Sequence, residues 1–322
     1  MIRIAGLLLC CFVGLATAQP AVAQYPSKPV RLIAPYPPGG GVDTVSRIIA
    51  DRLAPRLGQP VTVDNKPGAG ATIGAAELVK SAPDGYTLMI GSMVDYSIAP
   101  HIHANLGFDM RRDMTAIAEI GNGTVGLVVW PGLGVQSVRQ LIDLAKARPG
   151  QVSFASSGVG GLIHLNGEMF KQMTGIDIVH VPYKGTTQFL PDLMGGRVQM
   201  SVDNVLAHLP HIKSGKVQVL AVASAQRSPL LPEVPTMAEA GVPGFESATN
   251  YTLFAPARLP PDLVSLLNRE TNAVLAVADT REKLLAQGVV PKGGTVEAVQ
   301  ARIPGEMAKW AGIMKTAGLK PE

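Results

Sequence analysis

Apolar positions along the chain follow two alternating rhythms. Short runs rich in Val, Ile and Leu at 29–34, 60–64, 86–91, 125–130, 152–156, 176–182, 198–203, 217–223 and 250–255 predict strands. Between them, apolar residues return every three or four positions over 43–57, 72–80, 137–148, 161–174, 187–194, 205–214 and 261–278, the spacing of one helix face. Local chemistry marks several helix starts. Ser137 with Gln140 and Thr236 with Glu239 fit capping boxes, and Asp43 stands where a cap or first-turn acid belongs. Strands alternating with helices in this way predict an α/β fold of mostly parallel sheets flanked by helices on both faces.

Three of the strand-to-helix junctions share a further pattern. PVRLIAPYPPGGGVDTVSRIIADRL, VTVDNKPGAGATIGAAELVK and VSFASSGVGGLIHLNGEMF each pass from an apolar run through a glycine-rich loop into a helix. A helix N-terminus presents unpaired N–H groups and the positive end of the helix dipole, and glycine lets an anion come close to the backbone. One such loop alone is explained by a tight turn; three together point to a small anionic ligand held between them. None matches a nucleotide fingerprint. Gly68, Gly70 and Gly74 have G-x-G-x-x-x-G spacing, SSGVGGL lacks the third glycine, and no G-x-x-x-x-G-K-[ST] occurs, which leaves a dinucleotide-dependent oxidoreductase as an alternative with little behind it.

Two stretches interrupt the rhythm. EIGNGTVG at 119–126 and SAQRSPLLPEVP at 224–235 read as hinges or crossovers. The chain is therefore expected to build one lobe from 24–122, cross into a second lobe over 123–225, and return to the first for 226–322. A ligand cleft then lies between the two.

Composition supports this picture and narrows the function. With 322 residues, 47% of them hydrophobic and 16% charged, the chain suits about two globular domains. Residues 1–23 read as an export signal: basic Arg3, an apolar run from Ile4 to Leu15, then small-residue cleavage sites ending at Ala18 or Ala23, of which Ala23 is preferred. Both cysteines, Cys10 and Cys11, lie in that leader, so the mature chain is expected to have no disulfide, thiol nucleophile or cysteine metal site; Leu9 argues against a lipid anchor at Cys10. Nothing after the leader approaches the ~18 uninterrupted apolar residues of a membrane span, so a soluble protein outside the cytoplasm is expected. With Arg3 set aside, 27 basic residues face 24 acidic ones without a Lys/Arg run beyond Arg111-Arg112, which argues against nucleic acid as a partner.

Catalytic signatures are scarce. There is no G-x-S-x-G elbow, and the hydroxyls of Ser156 and Ser157 sit in a glycine loop as hydrogen-bond donors rather than nucleophiles. His101 and His103 make half a metal site without a third ligand, so no metal is expected. His164, in the first turn after SSGVGG, serves either packing or the cleft. Asp203-Asn204 ends an apolar strand, where both helix capping and a cleft role are open. Lys184 is either a plain exposed lysine or a cleft-edge cation. Asp95, after YTLMIG, either points to solvent or meets a donor on the ligand.

These residues also resemble a known family. YPSKPVRLIAPYPPGGGVDTVSRIIADRL is similar to the opening of the Bug receptors, the periplasmic substrate-binding components of tripartite tricarboxylate transporters. DNKPGAGATIGAAELVKSAPDGYTLMIGS, IVHVPYKGTTQFLPDLMGGRVQMSVDN and LPEVPTMAEAGVPGFE follow that family's later landmarks in order, over essentially the whole mature chain. The resemblance implies a two-lobed periplasmic-binding-protein fold of type II, no catalysis and no cofactor. It further implies a monomer that presents a small carboxylate to the membrane components of a transporter; a sensor that docks on a membrane signalling protein is the alternative. Carried onto this sequence, the family's pocket falls on Tyr36, Gly39, Gly40, Asp43, Gly70, Ala71, Ser92, Ser156, Ser157, Gly158, Gly160, Gly161, His164, Asp203 and Asn204, and Asp95 joins them from the 92–96 loop. Two departures bear on ligand selection: Asp95 stands where small or polar residues are common, and Asn250-Tyr251 where a Ser/Thr-Trp pair is frequent.

Overall fold

The computed structural model describes residues 25–320, so the expected leader and its two cysteines lie outside the described residues. The strands are β1 (Val30–Ala34), β2 (Val61–Asn65), β3 (Thr87–Gly91), β4 (Met114–Val129), β5 (Ser153–Ser156), β6 (Val179–Pro182), β7 (Met200–Asn204), β8 (Gln218–Val222), β9 (Ala248–Pro256) and β10 (Val289–Pro291). The helices are α1 (Gly41–Leu57), α2 (Thr72–Lys80), α3 (Met93–Ile102), α4 (Met110–Asp113), α5 (Val138–Ala147), α6 (Leu162–Thr174), α7 (Thr186–Met194), α8 (Leu209–Lys213), α9 (Pro261–Leu275), α10 (Ala278–Ala286) and α11 (Val296–Thr316).

The sheet has two halves. In the first the order is β2-β1-β3-β9-β4-β10, with β1 parallel to β2 and β3 and with β9 antiparallel to β3 and β4. In the second, β5 runs parallel to β6 and β7, and β4 is antiparallel to β7 and β8. Strand β4 belongs to both: Met114–Thr124 pairs with β9, and Val125–Val129 continues beside β7. The segment 119–126, expected as a break, is therefore continuous strand, and the strand expected at 125–130 begins eleven residues earlier, at Met114. Glycines that read as punctuation are there for close packing instead. A Cβ on Gly121 would lie 2.5 Å from the Val290 carbonyl oxygen, and one on Gly126 would lie 2.7 Å from Val205 Cγ1.

Each half buries both faces of its sheet, as alternation along the strands requires. In the first half Leu32 and Leu253 point into the cluster with Ile49, Leu53 and Leu267, while their neighbours Ile33 and Phe254 point into the cluster with Met89, Tyr96 and Ile303. In the second half Leu127 joins Phe154, Phe170 and Val202, and Val128 joins Phe189, Val198 and Val205. Leu231, Val234, Met237, Val242 and Phe245 pack with the second half, ahead of β9. Helix α11 spans the two: Val299 and Ile303 pack on the first half, Trp310, Ile313 and Met314 on the second.

Four helices and one strand went unforeseen in the sequence, namely α3, α4, α10, α11 and β10, and the helix expected over 261–278 ends at Leu275. The Ser137 box caps α5, with the Gln140 N–H donating to Ser137 Oγ at 3.2 Å. The Thr236–Glu239 box closes reciprocally, at 2.8 and 3.1 Å, but on a turn rather than a helix. Because β1, β2 and β3 are mutually parallel, as are β5, β6 and β7, the loops after each set gather at one edge of each half.

Candidate ligand-binding cleft

Two glycine loops are organised by the same device. After β1, the buried carboxylate of Asp43 accepts the Gly39 N–H at 2.9 Å. After β5, Nδ1 of buried His164 accepts the Gly160 N–H at 2.9 Å. In both, a side chain in the first helical turn reaches back four residues to a glycine at positive φ, +81° for Gly39 and +76° for Gly160. Asp43 also takes the Asn65 amide at 2.9 Å and Arg47 at 2.9 Å; burial opposes its ionisation, but these partners hold its carboxyl below the usual range. His164 is also lowered, to about 4, by burial and then by neighbouring His180, which for an imidazole favours the neutral form, so it is a neutral acceptor rather than a cation for an anionic ligand.

The next glycine in each loop differs. Gly40 and Gly161 are the residues just before α1 and α6, with φ of −76° and −70° that any residue adopts, and neither helix start has a side-chain cap. An added Cβ would meet nothing closer than 3.4 Å at Gly40 and 3.7 Å at Gly161. Gly185, before α7, is extended, uncapped and has nothing within 4 Å. Neither backbone geometry nor packing calls for glycine at these three helix starts, where Ser, Thr, Asn or Asp would satisfy an N–H. Their common effect is to leave first-turn amides open at the strand edges. The loop before α2 gets there by another route: Ala69, Gly70 and Ala71 run through φ of +45°, +59° and +75°, a left-handed turn that costs alanine some strain.

The remaining expected residues divide by what they touch. Ser92 is buried and caps α3 through the Asp95 N–H at 3.3 Å. Ser156 is buried; its hydroxyl meets His180 Nε2 at 2.7 Å and the Gly158 N–H at 3.2 Å. Asp203 is fully engaged, accepting from Thr186 Oγ1 at 2.9 Å, His208 Nε2 at 3.0 Å and the Asn204 N–H at 2.6 Å. Asn204 caps the following turn through the Leu206 N–H at 3.0 Å and reaches Thr249 on β9 at 3.5 Å. Lys184 is exposed, Gly40 and Gly70 are open, and Ser157, Gly158 and Gly161 are half-buried. Tyr36 donates its hydroxyl to Asp95 Oδ2, and both are half-buried.

Tyr251 is the residue that the site reading left out, although its departure from the family pattern marked it. A Cβ on Gly41 would lie 2.9 Å from its hydroxyl oxygen, and one on Gly123 would lie 2.5 Å from Asn204 Nδ2 and 3.4 Å from the Tyr251 ring. Tyr251 thus joins the start of α1, the crossing strand β4 and the end of β7. Burial first, then Asp95, lifts its hydroxyl to about 12, so it stays a neutral donor. Asn65, also unforeseen, ties β2 to the first loop by donating to the Tyr36 carbonyl at 3.0 Å.

A separate cavity of about 600 Å³ lies behind the crossing strands, where Asn122 and Asn250 face away from Tyr251; its walls include Ser247, Arg302 and Lys309. Of the cations lining it, Arg302 pairs with Glu119 and Glu306, Arg227 with Glu239, and Lys309 with the Glu246 carbonyl; Lys292 lines it as well. The uncapped helix starts lie at the strand edges and not in this cavity. Among the described residues no cluster of three or more His, Asp or Glu is arranged to hold a metal.

Known proteins share this arrangement. Residues 45–319 match the tripartite tricarboxylate transporter family receptor. The protein BugT of Bordetella pertussis is 38% identical over 297 residues, 92% of this chain and 91% of its own. The structure of R. palustris Rpa4515 with adipate has a TM-score of 0.83 at 37% identity, covering 92% of this chain and 100% of the other. MatC from Rhodopseudomonas palustris with bound malate has a TM-score of 0.77 at 27% identity, covering 90% and 99%. Such receptors are two-lobed, bind solutes and are not enzymes. The chain belongs to the Bug family, the solute-binding receptors of the tripartite tricarboxylate transporter type.

Proposed function

We propose that this protein is an exported periplasmic receptor that closes two lobes around a small carboxylate and delivers it, as a monomer, to the membrane components of a tripartite tricarboxylate-type transporter. The carrying observation is the trio Gly40, Gly161 and Gly185, glycine at uncapped helix starts where nothing in the protein requires it. Amides of the first turns of α1 and α6 grip the carboxylate from opposite lobes, with Tyr36, Gly70, Asp95, Ser157, Gly158 and Tyr251 around it. Gly39, Asp43, Ala71, Ser92, Ser156, Gly160, His164, Asp203 and Asn204 hold those loops in shape. One lobe is 24–122 with the return segment, the other 123–225 extended by packing to about 247. Contacts from both lobes exist together only in the closed state, so ligand shifts the population toward closure. Adipate and malate in two relatives support the ligand class. Among the described residues no helix is long and apolar enough to cross a membrane.

The test is a thermal-shift screen of the mature chain against adipate, malate, amino acids, aromatic acids and NAD. A carboxylate present at a hundredfold excess over its dissociation constant adds about 2.7 kcal/mol of apparent stability. Stabilisation by NAD with none by any carboxylate overturns the reading.

A further inference from the structure

Asp95 is a carboxylate set into an anion-binding cleft. It sits in the first turn of α3, half-buried, beside the loop that leads to the open amides of α1. Tyr36 from that loop donates to its Oδ2, Tyr96 lies on its own helix, and Tyr251 approaches from β9. These tyrosines and the Ser92 cap are its polar surroundings; among the described residues it forms no ion pair with a lysine, arginine or histidine. Tyr36 donates to Oδ2 and the Ser92 hydroxyl lies against the carboxyl as well, so its partners are neutral hydroxyls and no cation offsets its charge.

We infer that Asp95, positioned by Tyr36, is the specificity residue of the cleft, and that it selects a ligand carrying an ammonium or amide N–H beside its carboxylate over a plain dicarboxylate. This rests on the reading of the cleft as a carboxylate site. A ligand ammonium or amide N–H brings the charge or donor that the neutral hydroxyls around Asp95 do not fully supply, whereas a second carboxylate placed there faces like charge in a partly desolvated site. The tyrosines do not offset the charge: the Tyr36 hydroxyl is already donated to Asp95 and that of Tyr96 to Met89 Sδ, and none of the three brings a positive charge to neutralise a second anion. Burial pushes Asp95 up to about 6 against its hydrogen bonds from Tyr36 and Ser92. Acid conditions therefore protonate it, remove the repulsion and weaken the selection.

The experiment is calorimetric titration of the mature protein with three matched pairs, aspartate and succinate, glutamate and glutarate, 2-aminoadipate and adipate, at pH 8 and pH 5.5. The expected result is at least one pair whose amino member binds tenfold or more tightly at pH 8, with the ratio falling several-fold at pH 5.5. Asp95→Asn should cut the pH 8 ratio by tenfold or more and remove its pH dependence, which controls for titration of the ligands themselves. Tyr36→Phe, which keeps the charge and loses the bond that positions Asp95, should reduce the preference for the amino member without abolishing it. A wild-type ratio that favours the plain dicarboxylates, or one that ignores pH and survives Asp95→Asn, overturns the inference and leaves the carboxylate reading standing. Failure of all six compounds together with every acid of the thermal-shift screen sinks the carboxylate reading, and this inference with it.

Discussion

The imidazole rings of His164 and His180 are stacked, their centroids 3.7 Å apart and their planes 13° from parallel. Two cations cannot share that spacing, and both rings are pushed toward the neutral form: His164 to about 4 by burial and then His180, and His180 downward by burial. A folded pKa below the unfolded value means the native state binds fewer protons in between. The stability that His164 contributes is therefore complete above pH 6.5 and is lost as pH falls from 6.5 toward 4. Urea unfolding at pH 7.5 and pH 5 should show a drop of about 2 kcal/mol from this residue. His164→Gln should be less stable at pH 7.5 and should flatten the pH dependence; equal slopes for wild type and variant would place the titration elsewhere.

Much of this molecule is legible in its sequence because the legible parts are local. The helix over 72–80 and the strands at 29–34 and 152–156 follow from apolar period alone, and the cap at Ser137 from two residues three apart. What stayed hidden depends on partners far away in the chain. Gly121, Gly123 and Gly126 read as a break because close approach of β10, Asn204 and Val205 is invisible locally. Helix α11, interrupted in sequence by Pro304, is held by two cores at once and so shows no single clean face. In the site, glycine content announced the loops, but only the structure separates Gly39 and Gly160, which the backbone needs, from Gly40 and Gly161, which it does not. Asp43 and Asp203 carry chemistry suited to a ligand, yet their oxygens are engaged by their own loops and neighbours, and His164 spends its Nδ1 on the Gly160 N–H.

That separation is testable at the two helix starts. Serine at position 40 or 161 has room and acceptable backbone angles, and its hydroxyl can cap the helix that glycine leaves open. Gly40→Ser and Gly161→Ser should therefore melt at or slightly above the wild-type temperature, the gain being a few tenths of a kcal/mol. The same hydroxyl occupies the position where the anion meets the amides, so affinity for any carboxylate that binds wild type should fall tenfold or more. Serine variants that bind as tightly as wild type would remove these amides from the site.

The crossing strand offers the sharpest contrast between stability and function, because Gly121 and Gly123 share one face of β4 two residues apart. Alanine at 121 drives its Cβ against backbone, 2.5 Å from the Val290 carbonyl oxygen, with Val289 Cγ1 at 2.9 Å. β10 cannot swing aside without breaking its pairing to β4, so Gly121→Ala should destabilise by about 1–3 kcal/mol in denaturant unfolding. It lies away from the strand edges and should leave ligand affinity within about twofold of wild type. Alanine at 123 meets side-chain tips instead: Asn204 Nδ2 at 2.5 Å, Thr249 Cβ at 3.3 Å and Tyr251 Cε2 at 3.4 Å. An amide and a ring edge yield more easily than backbone, which limits the stability loss to under about 1 kcal/mol. Yielding, however, opens the Asn204 to Thr249 bridge between the halves and shifts the Tyr251 hydroxyl beside α1, so affinity should drop at least fivefold. Unfolding curves and calorimetric titrations on the two variants decide it. If Gly123→Ala loses stability as Gly121→Ala does and keeps its affinity, Tyr251 serves packing alone and the floor of the cleft lies elsewhere.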